Sequence, residues 1–193
     1  MTWGRDTDPH DAHDLLKAFL DAGGTLVDTA GSFGGGLAEE TVGRVVHELG
    51  ARREIVLCTK SGVRQTPQGM RISTGRGALL DDLDASLARL GSDHVDLWLV
   101  QVPDGVTPAQ ETLTALEIAV RSGRTRYVGV SNYPGWATAQ LATLAAQAGL
   151  PLAATQVEHS LLARGIEREV IPAAQALGLG VIGWSALGRG VLT

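Results

Sequence analysis

The chain has 193 residues, 44% of them hydrophobic, a formal net charge of -5 and 4% aromatic residues. That length and apolar content suffice for one domain with a sizeable core. The acidic balance, with no basic run, argues against a nucleic-acid partner, and no apolar stretch approaches the roughly 20 residues that span a bilayer.

The first residues, MTWGRDTDPHD, lack the charged-then-apolar pattern of a signal peptide. From Asp8 the chain reads as helix, with Asp8 as N-cap and Pro9 at the first helical position. Leu15, Leu16, Phe19 and Leu20 form its apolar stripe and Gly23 its stop. A short strand, Thr25 to Asp28, runs into a Gly-rich loop. A helix follows over Leu37 to Leu49, with Val42, Val45, Val46 and Leu49 on one face. Ile55 to Cys58 is an unbroken apolar run, as expected of a strand buried on both sides. Its Cys58 is the only cysteine, so no internal disulfide forms and a reducing cytoplasm is expected. Lys60 follows; it and Lys17 are the only lysines in an Arg-rich chain. A polar loop is predicted from Ser61 to Gly75. The next helix carries Leu79, Leu80, Leu83, Leu87 and Leu90 and stops at Gly91. Strand Val95–Val100 leads to Gln101. Thr107-Pro108 opens a helix with Leu113, Leu116 and Val120 inward. Strand Tyr127–Val130 ends in Ser131-Asn132. Helix Pro134–Gln147, strand Ala153–Val157, helix Ile166–Leu177 and strand Gly180–Trp184 complete the order, and the last strand opens into Ser185–Gly190.

Strands that alternate with helices throughout imply parallel pairing with right-handed crossovers. No linker or low-complexity tract divides residues 1–193, so a single domain is expected. A doubly wound sheet would place its ligand near a Gly-rich first turn, yet no G-x-G-x-x-G follows the first strand. Polar residues instead end strand after strand: Asp28, Lys60, Gln101, Asn132, Gln156, Ser185. Many strand ends converging on one site is the logic of a (β/α) barrel.

Asp28 and Lys60 sit at the carboxyl ends of strands expected to be neighbours. The residues alone leave two readings open. One is an ion pair that closes the barrel mouth; the other is a lysine that depresses the pKa of a nearby phenol while the aspartate holds it. His10, His13, His47 and His94 do not assemble into a metal-ligand set, so no metal is expected. The serines lack the G-x-S-x-G elbow of a hydrolase. Ser32 and His159 are read as loop residues rather than acids.

Asp28-Thr29-Ala30-Gly31-Ser32-Phe33-Gly34 resembles the Asp-Thr-Ala-x-x-Tyr-Gly signature of the aldo-keto reductases. Further stretches resemble the same family in the same order: Cys58-Thr59-Lys60, Asp96-Leu97-Trp98-Leu99-Val100, Val128-Gly129-Val130-Ser131-Asn132, Gln156-Val157-Glu158 and Trp184-Ser185-Ala186-Leu187-Gly188-Arg189-Gly190. The resemblance implies a (β/α)8 TIM barrel, here incomplete and lacking the first and eighth strands, because Met1 to Gly4 resembles the exit of the first. It implies hydride transfer from a nicotinamide cofactor, NADP(H), to a small carbonyl, or the reverse from an alcohol. Of the family's Asp, Tyr, Lys, His tetrad, Asp28 and Lys60 match two members. The other two positions hold Phe33 and Gln101.

Hydride addition leaves an alkoxide that needs a proton and hydrogen bonds. Phe33 supplies neither, and Gln101 donates through its amide without titrating. A reductase with impaired activity is therefore expected. On the cofactor side the resemblance implies that Ser131, Asn132 and Gln156 bond the nicotinamide carboxamide and that Trp184 stacks on its ring. It also implies that Ser185, Leu187, Gly188 and Arg189 meet the pyrophosphate, with binding weakened by the missing barrel parts. Bare sheet edges leave three readings open: a homo-oligomer that covers them, a sequence that is a piece of a longer product, or a marginal open barrel. Two alternatives stand beside this: a non-catalytic cofactor-binding scaffold or regulatory protein, and a non-redox lyase or isomerase with Lys60 as base.

Overall fold

A computed structural model describes residues 2–193. Met1, part of the stretch expected to be a strand exit, lies outside the described residues; Trp3 makes an isolated bridge to Thr7. Helix α1 (Pro9–Asp21) begins where its capping chemistry predicts. Asp8 accepts hydrogen bonds from the backbone N–H of His10 at 2.8 Å and of Asp11 at 2.9 Å. Its predicted stripe is only partly used: Leu16 is buried, while Leu15 and Phe19 are 56% and 41% exposed. The helix packs mainly on α2, while the Phe19 ring lies against Gly24.

Strand β1 (Leu26–Asp28) follows, then α2 (Leu37–Glu48) and β2 (Val56–Ser61). The predicted polar loop after β2 is instead a two-stranded antiparallel hairpin, β3 (Val63–Thr66) and β4 (Gly69–Ile72). Its side chains are exposed or half-buried, so it lacks the apolar alternation that reveals a strand. Then come α3 (Arg76–Leu90), β5 (Val95–Val100), α4 (Ala109–Arg121), β6 (Thr125–Ser131), α5 (Gly135–Gln147), β7 (Ala154–Glu158), α6 (Val170–Leu177) and β8 (Gly180–Trp184). The last helix was expected from Ile166. Glu169, at φ -138°, separates a short 3-10 turn, Gly165–Arg168, from α6. The helix α4 begins after Pro108 without a side-chain cap. Asp104 holds the preceding turn, accepting from the N–H of Val106 and Thr107 and from the Thr107 hydroxyl.

Six strands form one curled parallel sheet in the order β1-β2-β5-β6-β7-β8, an incomplete (β/α)8 barrel. Each helix packs on the next in sequence around its outside. The main core lies between helices and outer sheet face: Val27, Leu57, Trp98, Val100, Val128 and Val130 meet Leu16, Val45, Leu79, Leu83, Leu116 and Leu141. A smaller cluster, Cys58, Leu97, Leu99 and Ala154, lines the inner face. Alternation along each strand puts the residues two positions further on at the mouth of the half-barrel. Those residues are Lys60 after Cys58, Ser131 after Gly129 and Gln156 after Ala154. Among the described residues no helix is long and apolar enough to cross a membrane.

Candidate active site at the strand carboxyl ends

Parallel pairing sets Asp28 of β1 beside Cys58 of β2, which places Lys60 one inward step further toward the mouth. The Lys60 side chain is 3% exposed and that of Asp28 31%. The ammonium donates to Asp28 Oδ1 at 2.8 Å, to Asp28 Oδ2 at 2.7 Å and to the carbonyl of Thr29 at 2.7 Å. An ammonium has three hydrogens, and three acceptors take them. The Phe33 ring lies with its centroid 5.2 Å from Lys60 Nζ, within cation–π range. Beneath them Cys58 is fully buried, and burial together with the charge of Asp28 pushes its thiol well above the ordinary range.

Gln101 is reached through a different residue. Ser32 Oγ donates to Gln101 Oε1 at 3.0 Å. The Gln101 carbonyl accepts from Asn132 Nδ2 at 2.9 Å, and the same amide donates to Ser131 Oγ at 3.1 Å. Trp184 Nε1 donates to Asn132 Oδ1 at 3.1 Å. A hydrogen-bonded chain thus runs around the mouth from the β1 loop to the end of β8. Asn132 sits at φ 59°, a left-handed conformation that Asn tolerates better than most residues, and this turns its carboxamide toward both neighbours. Ser131 and Gln156 are buried and in register.

The structure therefore brings the sequence-predicted residues into two groups on one rim. Asp28, Phe33 and Lys60 form one. Ser131, Asn132, Gln156 and Trp184 form the other, with Gln101 between. Ser185, Leu187, Gly188 and Arg189 lie on a following turn, closed by the Gly188 N–H donating to the Ser185 carbonyl at 2.8 Å. Arg189 lies 5.9 Å over the Trp184 ring and 3.6 Å from Glu158, whereas Leu187 is exposed. His159 is paired with Glu167 at 3.0 Å. Arg164 and His159 hold the Glu167 carboxyl down to about 2.

Sequence reasoning missed one cluster. Glu39 is fully buried on α2, accepting from Thr59 and Arg89. Both charges fall on helices whose polar residues read as solvated faces. The available signal was Glu39 in the first turn of a helix that starts directly after the Gly-rich loop.

A half-barrel whose strand ends gather an ion pair, an aromatic ring, a carboxamide and an indole has the layout in which TIM barrels place their functional residues. A model of the aldo/keto reductase family matches residues 1–193, and the chain belongs to that family. It is 37% identical over 203 aligned residues to the uncharacterized oxidoreductase YrpG of Bacillus subtilis (strain 168), covering 100% of this chain and 62% of the relative. It is 36% identical over 184 residues to the L-glyceraldehyde 3-phosphate reductase of Escherichia coli (strain K12), covering 93% and 53%. It is 33% identical over 200 residues to a probable voltage-gated potassium channel subunit beta of Oryza sativa subsp. japonica, covering 100% and 60%. The chain thus spans little more than half the length of these relatives.

Proposed function

We propose that the chain, as one domain over residues 1–193, carries an aldo/keto reductase site that binds NADP(H) and a small carbonyl or alcohol, with reduction strongly impaired. The carrying observation is the Phe33 ring over a Lys60 ammonium whose hydrogens already serve Asp28 and Thr29. Among the described residues the partners of that ammonium are Asp28, Thr29 and the Phe33 ring, and none is a phenol to pass a proton to a developing alkoxide. The loss of such an acid costs on the order of 10²–10⁴-fold in rate. Gln101 is left to orient a carbonyl through its amide.

The donor set fits a nicotinamide. The Gln156 carboxamide and the Ser131 hydroxyl offer donors and acceptors to an amide, Asn132 Oδ1 offers its remaining lone pair while its Nδ2 serves Gln101 and Ser131, and the Trp184 indole offers a flat face. Bound there, the cofactor supplies the hydride; the chain's own residues hold and orient it. We take the affinity to be weakened. Ser185, Leu187, Gly188 and Arg189, the residues offered to the pyrophosphate, follow the last strand of a sheet with six strands, where a closed barrel has eight. A cytoplasmic location goes with a nicotinamide cofactor and a reduced Cys58. A homo-oligomer would cover the free edges of β1 and β8.

Titration of NADPH fluorescence and assay of NADPH oxidation against a carbonyl panel test this reading. Binding with turnover several orders below an ordinary family member supports it. Turnover within a few-fold of such a member refutes the impairment, and failure to bind any dinucleotide refutes the site. The joint change Phe33→Tyr with Gln101→His should raise turnover.

A second reading is a cofactor-binding regulatory protein without catalysis. The capped Lys60 favours it, and one relative carries the name of a channel subunit. Tight NADPH binding with no turnover, in the restored variant as well, selects it. A lyase or isomerase with Lys60 as base is disfavoured, because the ammonium is held by Asp28.

A further inference from the structure

Thr59 precedes Lys60 in β2, and its hydroxyl donates to Glu39 Oε1 at 2.5 Å. The other oxygen, Oε2, accepts from Arg89 Nε at 2.6 Å, and Arg89 Nη2 lies at 2.6 Å from it as well. Nη2 also donates to Ser86 at 3.2 Å. Glu39 is 0% exposed and the Arg89 side chain 27%, so this is a charge pair held largely out of water. Such a pair is more than a surface contact and is costly to break from one side.

What lies on the Arg89 side chain is the loop that carries Phe33. A Cβ at Gly31 would meet Arg89 Nη2 at 2.9 Å, and a Cβ at Gly36 would meet Arg89 Cδ at 2.7 Å. A side chain at either end of the loop would require Arg89, held by Glu39, to shift. Between those two contacts stands Phe33. The same carboxylate that orients Arg89 is fixed to the strand residue next to Lys60.

We infer that Glu39 and Arg89 are positioning residues for the mouth. Together they set the Gly31–Gly36 loop relative to β2, and so decide that residue 33 stands over Lys60. The catalytic meaning of this placement rests on the proposed reductase site, while the placement itself can be tested without cofactor or substrate.

The chain has two lysines, Lys17 and Lys60. Lys17 is exposed and pairs with Asp21, so it provides an internal reference. In heteronuclear NMR of protein with isotope-labelled lysine, the ring current of Phe33 should displace the Lys60 ε-methylene signal upfield of that of Lys17. The joint change Glu39→Gln with Arg89→Met removes both charges and orphans neither. It should reduce that displacement by at least about half in a protein that still melts cooperatively. Gly31→Ala, which adds a methyl closest to Arg89 and near Ser86 and Glu39, should reduce it too, and decides the matter if the double variant does not fold. An undiminished displacement in the folded variants overturns the positioning role and leaves the site reading intact. A wild-type signal with no displacement overturns the site reading itself. A stability element acting at a distance would lower the melting temperature without moving this signal.

Discussion

The Lys60 ammonium faces the Phe33 ring at 5.2 Å on one side and the Asp28 carboxylate at 2.7 Å on another. Placing a hydroxyl on that ring therefore puts a phenol beside a fixed positive charge. In Phe33→Tyr the new phenol should ionise below the ordinary value of about 10, because the nearby ammonium favours phenolate. Ultraviolet difference titration against the wild type cancels Tyr127 and Tyr133 and reads that phenol alone. Adding Lys60→Met should return it to about 10 or above. An ordinary titration in the single variant would mean that position 33 does not face the lysine.

The two members of the ion pair differ in how far each is removed from water, and this predicts an asymmetry. Asp28→Asn leaves a 3% exposed ammonium without its carboxylate and should cost about 3–5 kcal/mol. Lys60→Met leaves a carboxylate that is 31% exposed and can be rehydrated, so about 1–3 kcal/mol is expected after discounting for solvent screening. Urea denaturation of both variants checks the order. Equal costs, or a larger cost for Lys60→Met, would contradict the burial difference.

Much of the fold was legible because its central strand β5 is buried on both faces and the other sheet strands are short apolar runs between helices. Val95–Val100 is apolar but for Asp96 and is buried along its whole length, and glycines such as Gly91 and Gly178 stop helices in left-handed caps. The hairpin at Val63–Ile72 was not legible, since Arg64, Gln65, Met70 and Arg71 all meet solvent and pairing rests on the backbone. Of the site, Asp28 and Lys60 could be read from their places at strand ends. The Ser32–Gln101 and Asn132–Trp184 contacts could not, because they join residues 69 and 52 positions apart. The Glu39–Arg89 pair was hidden for another reason. A charge on an amphipathic helix is ordinarily a solvated face, and only the tertiary meeting of α2 with α3 makes these two a buried pair.

Alkaline pH should weaken the protein in two windows. Burial raises the Cys58 thiol in the folded chain, with Asp28 adding to it, above an unfolded value of about 8.5. Burial likewise raises Tyr133, with Asp104 contributing, above about 10. In each case the unfolded chain loses its proton first. Stability is then complete below the unfolded value and falls by up to about 1.4 kcal/mol per pH unit above it. Denaturation measured from neutral pH upward should show a decline beginning near pH 8.5 that Cys58→Ala removes, and a second decline above about pH 10 that it does not.

At acid pH the loop before α4 should fail early. Burial opposes ionisation of Asp104, but its hydrogen bonds outweigh that. The Thr107 hydroxyl and the N–H groups of Thr107, Thr74 and Val106 hold the carboxyl well below the usual range. The stability this contributes is present above about pH 3.9 and lost as pH falls toward the folded value. Asp104→Asn should abolish that portion of the acid dependence and raise hydrogen exchange at Thr74, Val106 and Thr107. An unchanged acid profile would show that the loop does not depend on the carboxylate.

The Asn132–Trp184 contact gives the cofactor reading its cleanest check. Asn132 holds φ 59° and bridges Gln101, Ser131 and the Trp184 indole. Asn132→Gly keeps that backbone conformation at little steric cost and deletes only the bridging carboxamide. The fold should therefore melt within about 1 kcal/mol of the wild type in stability, since the bonds lost are at a partly solvated rim. If the indole stacks on a nicotinamide, NADPH should quench tryptophan emission in the wild type, and Trp184→Phe should remove most of that quenching although Trp3, Trp98 and Trp136 remain. Asn132→Gly should leave the maximal quenching in place while weakening NADPH affinity about tenfold, because one amide partner and the orienting bond to the indole are gone. Unaltered affinity in this variant, with quenching intact, would remove Asn132 from the cofactor's partners while leaving the stack on Trp184.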